Sequence, residues 1–297
     1  MRFRISAIAA LLALGGCIAG LDPSYDGPKA RFAGSYEWLP SEHHLGGFSG
    51  LELSDDGARL HAVSDRGGLV TARITRKEGR IVAVEADPPR PLTRRDGQPI
   101  SGFRADAEGL AILPDGHMLV SFEGFHRVWM YDGSGKAIPL KLEKWFRDMG
   151  GNSGFEGLAV DAQGRPLVIP EKSGQLTRAF PVWRLDGDAW RNPFDIPRSG
   201  GFLPVGLDFG PDGRLYLLER LFTGFGFASR VRRFTLENDR ITAEETLMRS
   251  AVWQHDNLEG LAVWRDDTGA IRLTMISDDN FRSIQQTQIV EYVLNAK

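Results

Sequence analysis

The chain has 297 residues, 42% of them hydrophobic and 25% charged, with 35 glycines and 16 prolines, the profile of a turn-rich globular protein. A net charge of −3 without a basic run excludes a nucleic-acid-binding surface of the usual kind. One cysteine and six scattered histidines leave no disulfide framework and no zinc spacing.

In chain order, Arg2 and Arg4 form a positive start and residues 5–14 a short apolar run. That run is shorter than the ~20 residues a membrane helix needs, so residues 1–16 read as an export signal. Leu14-Gly15-Gly16-Cys17 resembles the lipobox of bacterial lipoproteins, which implies a lipidated Cys17 at the mature N-terminus. Ile18 after it implies sorting to the outer membrane, with the protein facing the periplasm. Residues 17–30 then form a tether, and the membrane is met through the lipid alone. Loss of the two signal arginines takes the formal charge from −3 to −5. The folded domain is expected over 31–297, long enough to bury a full core.

One phrase recurs through that domain. Glu108-Gly109-Leu110, Glu156-Gly157-Leu158 and Glu259-Gly260-Leu261 are joined by the weaker copies Ser49-Gly50-Leu51 and Val205-Gly206-Leu207. The glycines lie 59, 48, 49 and 54 residues apart. A period near fifty with internal turns signals a solenoid or a propeller. The copies are followed by short strands split by turn residues: LELS, LHAVS, LVTARIT and RIVAVEA in the first, LAIL, HMLVSF, RVWMYD and AIPLKLE in the second. Four antiparallel strands per repeat make a propeller blade, so the fold class is an all-β propeller. Residues 140–149 hint at a short helix or irregular loop. The last repeat lacks a fourth strand, and ARFAGSYEWL near residue 30 is a spare one. Pairing the two would close a ring of five blades. A sixth blade would have to hide in the 59-residue gap.

The residue before each first strand and the residue after each second strand fall on one face of such a ring. Glu108, Glu156 and Glu259 should therefore converge near the axis, with Ser49 and Val205. Asp65, Glu123, Glu171, Glu219, Asp278 and Asp279 should surround them. At about 6 Å and an effective dielectric near 20, each carboxylate pair costs roughly 3 kcal/mol. Three pairs would approach a domain's whole stability, ~5–15 kcal/mol. A cation, protons or basic side chains must offset this. Oxygen ligands without His or Cys suit a hard divalent ion such as calcium. Arg66, Lys172 and Arg220 could instead neutralise the ring by salt bridges alone.

The series GGFSGLELSDDGARLHAVSDRG, DAEGLAILPDGHMLVSFEG, GNSGFEGLAV, LYLLERLF and NLEGLAVW…MISDDNF resembles the phytase-like family with esterase-like activity, over about residues 30–297. Positions matching its pattern are Asp65, Glu108, Glu123, Glu156, Glu171, Glu219, Arg220, Glu259, Asp278, Asp279, Asn280 and Phe281. The Glu-Gly-Leu phrases are also similar to the metal-lining positions of gluconolactonase-type propellers. The aspartate-rich motifs of calcium-dependent propeller phytases are missing, which argues against inositol-phosphate hydrolysis.

The chemistry expected is metal-assisted hydrolysis of an ester or phosphoester. A divalent ion on Glu108, Glu156 and Glu259 would polarise the substrate and acidify a water. Glu123 or Glu171 would act as general base. Arg66, Lys172, Arg220 and Asn280 would hold a small anionic substrate. Ser49 and Ser153 sit in no G-x-S-x-G elbow, which counts against a serine hydrolase. The other classes that fit are a carboxylate-based glycosidase, with loop aromatics stacking on sugar, and a non-catalytic lipid-anchored binding propeller. An enzyme should show an open pocket over the acids; a platform should show a plugged channel and an apolar patch elsewhere. His43, His44 and His255 should border the same face, and His61 and His117 the opposite one. Residues 224–227, Gly-Phe-Gly-Phe, form a candidate lid.

Overall fold

The computed structural model describes residues 27–38, 46–133, 135–141, 143–148 and 154–294. The export signal, Cys17, His43, His44 and Ser153 lie outside these residues. Five antiparallel sheets are arranged as blades. Blade I comprises Phe48–Leu53, Arg59–Ser64, Gly68–Lys77 and Arg80–Ala86. Blade II comprises Ala107–Ile112, Met118–Phe122, Arg127–Tyr131 and Ala137–Pro139. Blade III comprises Phe155–Val160, Pro166–Pro170, Phe180–Asp186 and Ala189–Ile196. Blade IV comprises Leu203–Phe209, Leu215–Phe222, Phe227–Glu237 and Arg240–Arg249. Blade V comprises Leu258–Arg265, Ile271–Ser277 and Gln288–Leu294, completed by the N-terminal strand Ala30–Glu37. First strands touch first strands in the order I, II, III, IV, V and back to I, which makes a five-bladed propeller.

The repeated glycine is what lets this ring close. In every blade the pairing of first and second strands shifts register at the phrase, between Phe48 and Leu51, Ala107 and Leu110, Phe155 and Gly157, Pro204 and Gly206, and Leu258 and Gly260. Such a bulge bends the strand and re-aims the residue beside it. A Cβ on Gly50 would lie 2.6 Å from the Leu110 nitrogen, and one on Gly109 2.7 Å from Leu158 Cβ. The same holds for Gly157 against Leu207, Gly206 against the Glu259 carbonyl and Gly260 against Leu51. Each glycine thus sits where one blade's first strand meets the next.

Ala30 pairs with Leu294 and Glu37 with Gln288, so the chain's first described strand completes the last blade as its outer strand and covers the edge of Gln288–Leu294. The 59-residue gap holds no sixth blade. It is filled by the short strand Arg90–Pro91, a bridge between Thr93 and Pro99, and one 3-10 turn at Gly102–Arg104. The short helix is Lys144–Asp148. Its buried Phe146 packs on Phe155 and Trp190. Apolar clusters fill the seams between blades; Leu51, Leu60, Ala262 and Ile276 join V to I. No described helix is long and apolar enough to cross a membrane.

Candidate functional site

The first strands all begin at one end of the ring, and there the acids converge. A pocket of about 340 Å³ is lined by Ser49, Asp65, Asp106, Glu108, Glu123, Glu156, Glu171, Lys172, Arg220, Glu259, Asp278 and Asn280. Eight carboxylates face two cations. Their positions follow from one device repeated in four blades. The residue after the second strand donates its N–H to the carbonyl two residues before the repeated glycine's predecessor: Asp65 to Gly47 at 2.9 Å, Glu123 to Asp106 at 2.9 Å, Glu171 to Gly154 at 3.2 Å, and Asp278 to Asn257 at 2.9 Å.

In blade II alone the acceptor residue of that bond is itself an acid. Asp106, Glu108 and Glu123 therefore meet, with carboxylate oxygens all within 4.8 Å of one another. Two oxygens bound to one calcium at 2.3–2.6 Å lie at most about 5 Å apart, so the spacing of the trio is compatible with a hard divalent ion. The cluster holds no His or Cys, which favours calcium, magnesium or manganese over zinc or copper. Burial, then the charges of Glu156 and Glu259, push Glu108 well above the usual carboxylate range. Burial raises Asp106, although its hydrogen bond with Glu108 pulls the other way. Burial and Asp106 raise Glu123.

The opposite side of the pocket is neutralised by Arg220. Its guanidinium donates to Glu259 Oε1, to Asn257 Oδ1 at 2.8 Å and to Glu171 Oε1 at 3.2 Å. Burial alone would lower its pKa, but Glu259, Glu156 and Glu171 raise it. Glu259 also accepts from Asn257 Nδ2 at 2.8 Å and from Ser49 Oγ at 3.2 Å. Lys172 pairs with Glu171 at 3.2 Å. Glu156, between the two halves, is raised by burial, Glu259 and Glu171 against the pull of Arg220. Burial and Glu259 push Asp278 up to about 8; burial and Asp106 push Asp65 up to about 6. The expected choice between an ion and a salt-bridge network is thus divided in space. Arg220 serves the Glu171 and Glu259 side, while in the blade II trio burial and the charge of Asp106 raise Glu123 against the weaker pull of Lys172.

Residues 43–281 match the family described as "Phytase-like: Esterase-like activity of phytase". The chain belongs to that family. No curated protein matches it. Similar solved structures include the calcium-binding protein regucalcin from Agrobacterium tumefaciens, 12% identical with a TM-score of 0.47, covering 90% of this chain and 96% of that one. The PQQ-bound aldose sugar dehydrogenase from Streptomyces coelicolor is 14% identical with a TM-score of 0.46, covering 90% and 100%. Virginiamycin B lyase from Staphylococcus aureus is 12% identical with a TM-score of 0.43, covering 89% and 99%. At such distances the chemistry of this Phytase-like chain has to be argued from its own residues.

Most positions matching the family pattern line the pocket, but not all. Glu219 does not. It is fully buried inside blade IV, bonded to Arg230 Nε at 2.8 Å and to Arg232 Nη2 at 2.7 Å. The cause is a one-residue offset. Glu123 follows Glu108, and Glu171 follows Glu156, by 15 positions; 15 positions after Val205 stands Arg220. The pairing agrees, since Pro204 faces Glu219 just as Phe155 faces Pro170 and Ala107 faces Phe122. A slip of one turns a strand residue to the other face of the sheet. Blade IV therefore supplies an arginine where its neighbours supply acids. Arg66 is exposed and stacks over Phe281 at 3.2 Å from the ring centroid, away from the pocket lining. Asp279 accepts from the Gly47 and Phe281 N–H groups, each at 3.0 Å, and holds the rim. His255 is buried on the same end, with Nε2 2.8 Å from the Tyr292 hydroxyl, and burial lowers its pKa to about 4.

Sequence reasoning missed Asp106, although it stands two residues before Glu108 in DAEGL. It also missed the pair at the other end of the axis. Glu52 and Asp208 line an opening of about 350 Å³ there. Burial and the Asp208 charge raise Glu52, and burial takes Asp208 to about 7.

Proposed function

We propose that this Phytase-like propeller is a metal-assisted hydrolase of an ester or phosphoester. The observation that carries the reading is the charge imbalance at one mouth of the ring, eight carboxylates against two cations, with an oxygen trio of ion-binding dimensions within it. In this reading Asp106, Glu108 and Glu123 hold a divalent ion, with Glu156 beside them. When bound, such an ion polarises the substrate oxygen and makes a water more acidic. The ligand set differs from the one expected from spacing, which named Glu108, Glu156 and Glu259, because Glu259 is engaged by Arg220.

Glu171 is then the general base. It lies outside the trio, and it lines both this pocket and a larger groove beside it, so a bond lying across their junction comes within its reach. Arg220 and Asn280 line both cavities as well. Arg220 fixes Glu171 and Glu259; Lys172, paired with Glu171, and Asn280 line the same pocket and would orient an anionic group. The open pocket over the acids supports an enzyme over a plugged platform.

Export with a lipid on Cys17 belongs to the same proposal. The strand Ala30–Glu37 enters with Ala30 beside Leu294, at the end of blade V opposite the pocket. A chain tethered through residues 17–30 would hold its site away from the membrane.

The test is metal content by mass spectrometry on protein purified without chelator, beside Asp106→Asn, Glu108→Gln and Glu123→Gln combined. One divalent ion per wild-type chain, lost in the variant along with hydrolysis of p-nitrophenyl phosphate or acetate, is the expected result. No ion in either protein, with calcium leaving Tm unchanged, would overturn the reading.

A further inference from the structure

A groove of about 840 Å³ opens from the carboxylate pocket over the seam between blades IV and V. Its volume is in the range of small-molecule sites, ~300–1,000 Å³. Its sides come from the blade IV hairpin tip at residues 222–227, the connection at 251–257 and the blade V loop at 278–288. Phe222, Phe225, Trp253 and Ile284 line it and are all strongly exposed. Hydrophobic side chains this open on one groove contribute little to folding and mark a contact surface.

Trp253 is the most telling of them. It has φ +68°, a conformation that is a genuine outlier for a bulky residue, yet its side chain is so little covered that the residue is 73% exposed. Its N–H donates to the Phe227 carbonyl at 3.2 Å. A Cβ on Gly226 would lie 2.6 Å from the indole, so the ring lies flat against bare backbone that only glycine provides. Strained backbone clusters at ligand-binding and active sites, so an outlier at a cleft points to a role there.

Another part of the lining is made of amides organised by one carboxylate. Asp256 accepts from Gln285 Nε2 at 3.2 Å and from the Gln286 N–H at 2.7 Å. Its own N–H donates to Gln288 Oε1 at 3.3 Å, and Gln288 Nε2 donates to Gln286 Oε1 at 3.2 Å. Each side-chain amide has two donors and two acceptor lone pairs, more than these bonds consume. An acyl chain laid here would strip water from that wall and give nothing back. A ring with an apolar C–H face and polar equatorial groups satisfies both sides at once.

We propose that this groove is a subsite for a glycosyl or similar cyclic polyol portion of the substrate, stacked on Trp253 and hydrogen-bonded to the Gln285, Gln286 and Gln288 amides. The bond to be cleaved then lies at the junction where Glu171, Arg220, Glu259 and Asn280 face both cavities. The subsite rests on the hydrolase reading only for what happens at that junction.

The experiment is calorimetric titration of the chain, in EDTA, with neutral trisaccharides (maltotriose, cellotriose, chitotriose) and with octyl phosphate. Trp253→Gly is the main variant, because glycine accepts φ +68° and the fold should persist; Gln285→Ala is the second. At least one trisaccharide should bind, about tenfold or more weaker in Trp253→Gly and weaker in Gln285→Ala. No trisaccharide binding, binding indifferent to Trp253, or binding of octyl phosphate alone would each overturn the proposal. Because the readout needs neither metal nor turnover, it can fail while the hydrolase stands, or hold while the hydrolase falls.

Discussion

Raising the pH of the metal-free protein should destabilise it over a range where most proteins are at their most stable. Asp278 shows why. Burial and Glu259 take it from its usual 3.8 up to about 8. A carboxyl raised in the folded state binds its proton more tightly there than in the unfolded chain. Stability is then fully present below about pH 4 and is lost as pH rises through about 8. Each pH unit in that window costs about 1.4 kcal/mol per such group, so Asp278 alone accounts for at most on the order of 5 kcal/mol. Glu108 and Glu156 add to the loss in the same direction. For a domain of this size 1 kcal/mol corresponds to roughly 2–4 °C, so Tm should fall several degrees per pH unit. The assay is thermal unfolding in EDTA across that window, with and without excess calcium, on wild type and Asp278→Asn. The variant should have a shallower slope and a higher Tm near pH 8. Calcium should reverse the wild-type trend, since its ligands must be deprotonated. A wild-type Tm in EDTA that is flat or rises with pH, or a variant profile equal to wild type, would refute the account of the pocket as a store of repulsion.

Other parts of the molecule give separate expectations. Glu219→Gln removes the carboxylate that the buried Arg230 and Arg232 share, and should cost about 3–5 kcal/mol in urea unfolding while leaving metal content unchanged. Gly109→Ala drives a methyl against Ser121 Oγ and Leu158 Cβ, 2.6 and 2.7 Å away, and should lower stability by about 1–3 kcal/mol, read as a drop in Tm. Truncation of residues 1–38 exposes the Gln288–Leu294 edge of blade V and should yield larger species by light scattering than the untruncated chain does.

The architecture was legible because its physical cause is a residue type. Only glycine fits where each blade's first strand abuts the next, so the glycine spacing wrote the blade count into the chain. The site was legible by halves. Glu108, Glu123, Glu156, Glu171 and Glu259 could be placed on one face from strand direction alone, and they line one pocket. Asp106 escaped because attention to the residue beside the glycine ignores the carbonyl that closes each hairpin, two positions earlier. There the chain reads Gly47, Asp106, Gly154 and Asn257, and that difference alone makes blade II the candidate metal blade and blade V an amide-braced one. Glu219 was misplaced for a related reason. In LER the glutamate looks like the acid that ends the other second strands, but the 15-residue interval assigns that place to Arg220. Counting would have found it; composition could not. The consequence is chemical as well as topological. One blade carries Val205 and Arg220 where its neighbours carry acids, so a single cation reaches the carboxylates of blades III and V. The positive charge that this arginine brings to one side of the pocket is what leaves the blade II trio as the place where an added ion would be held.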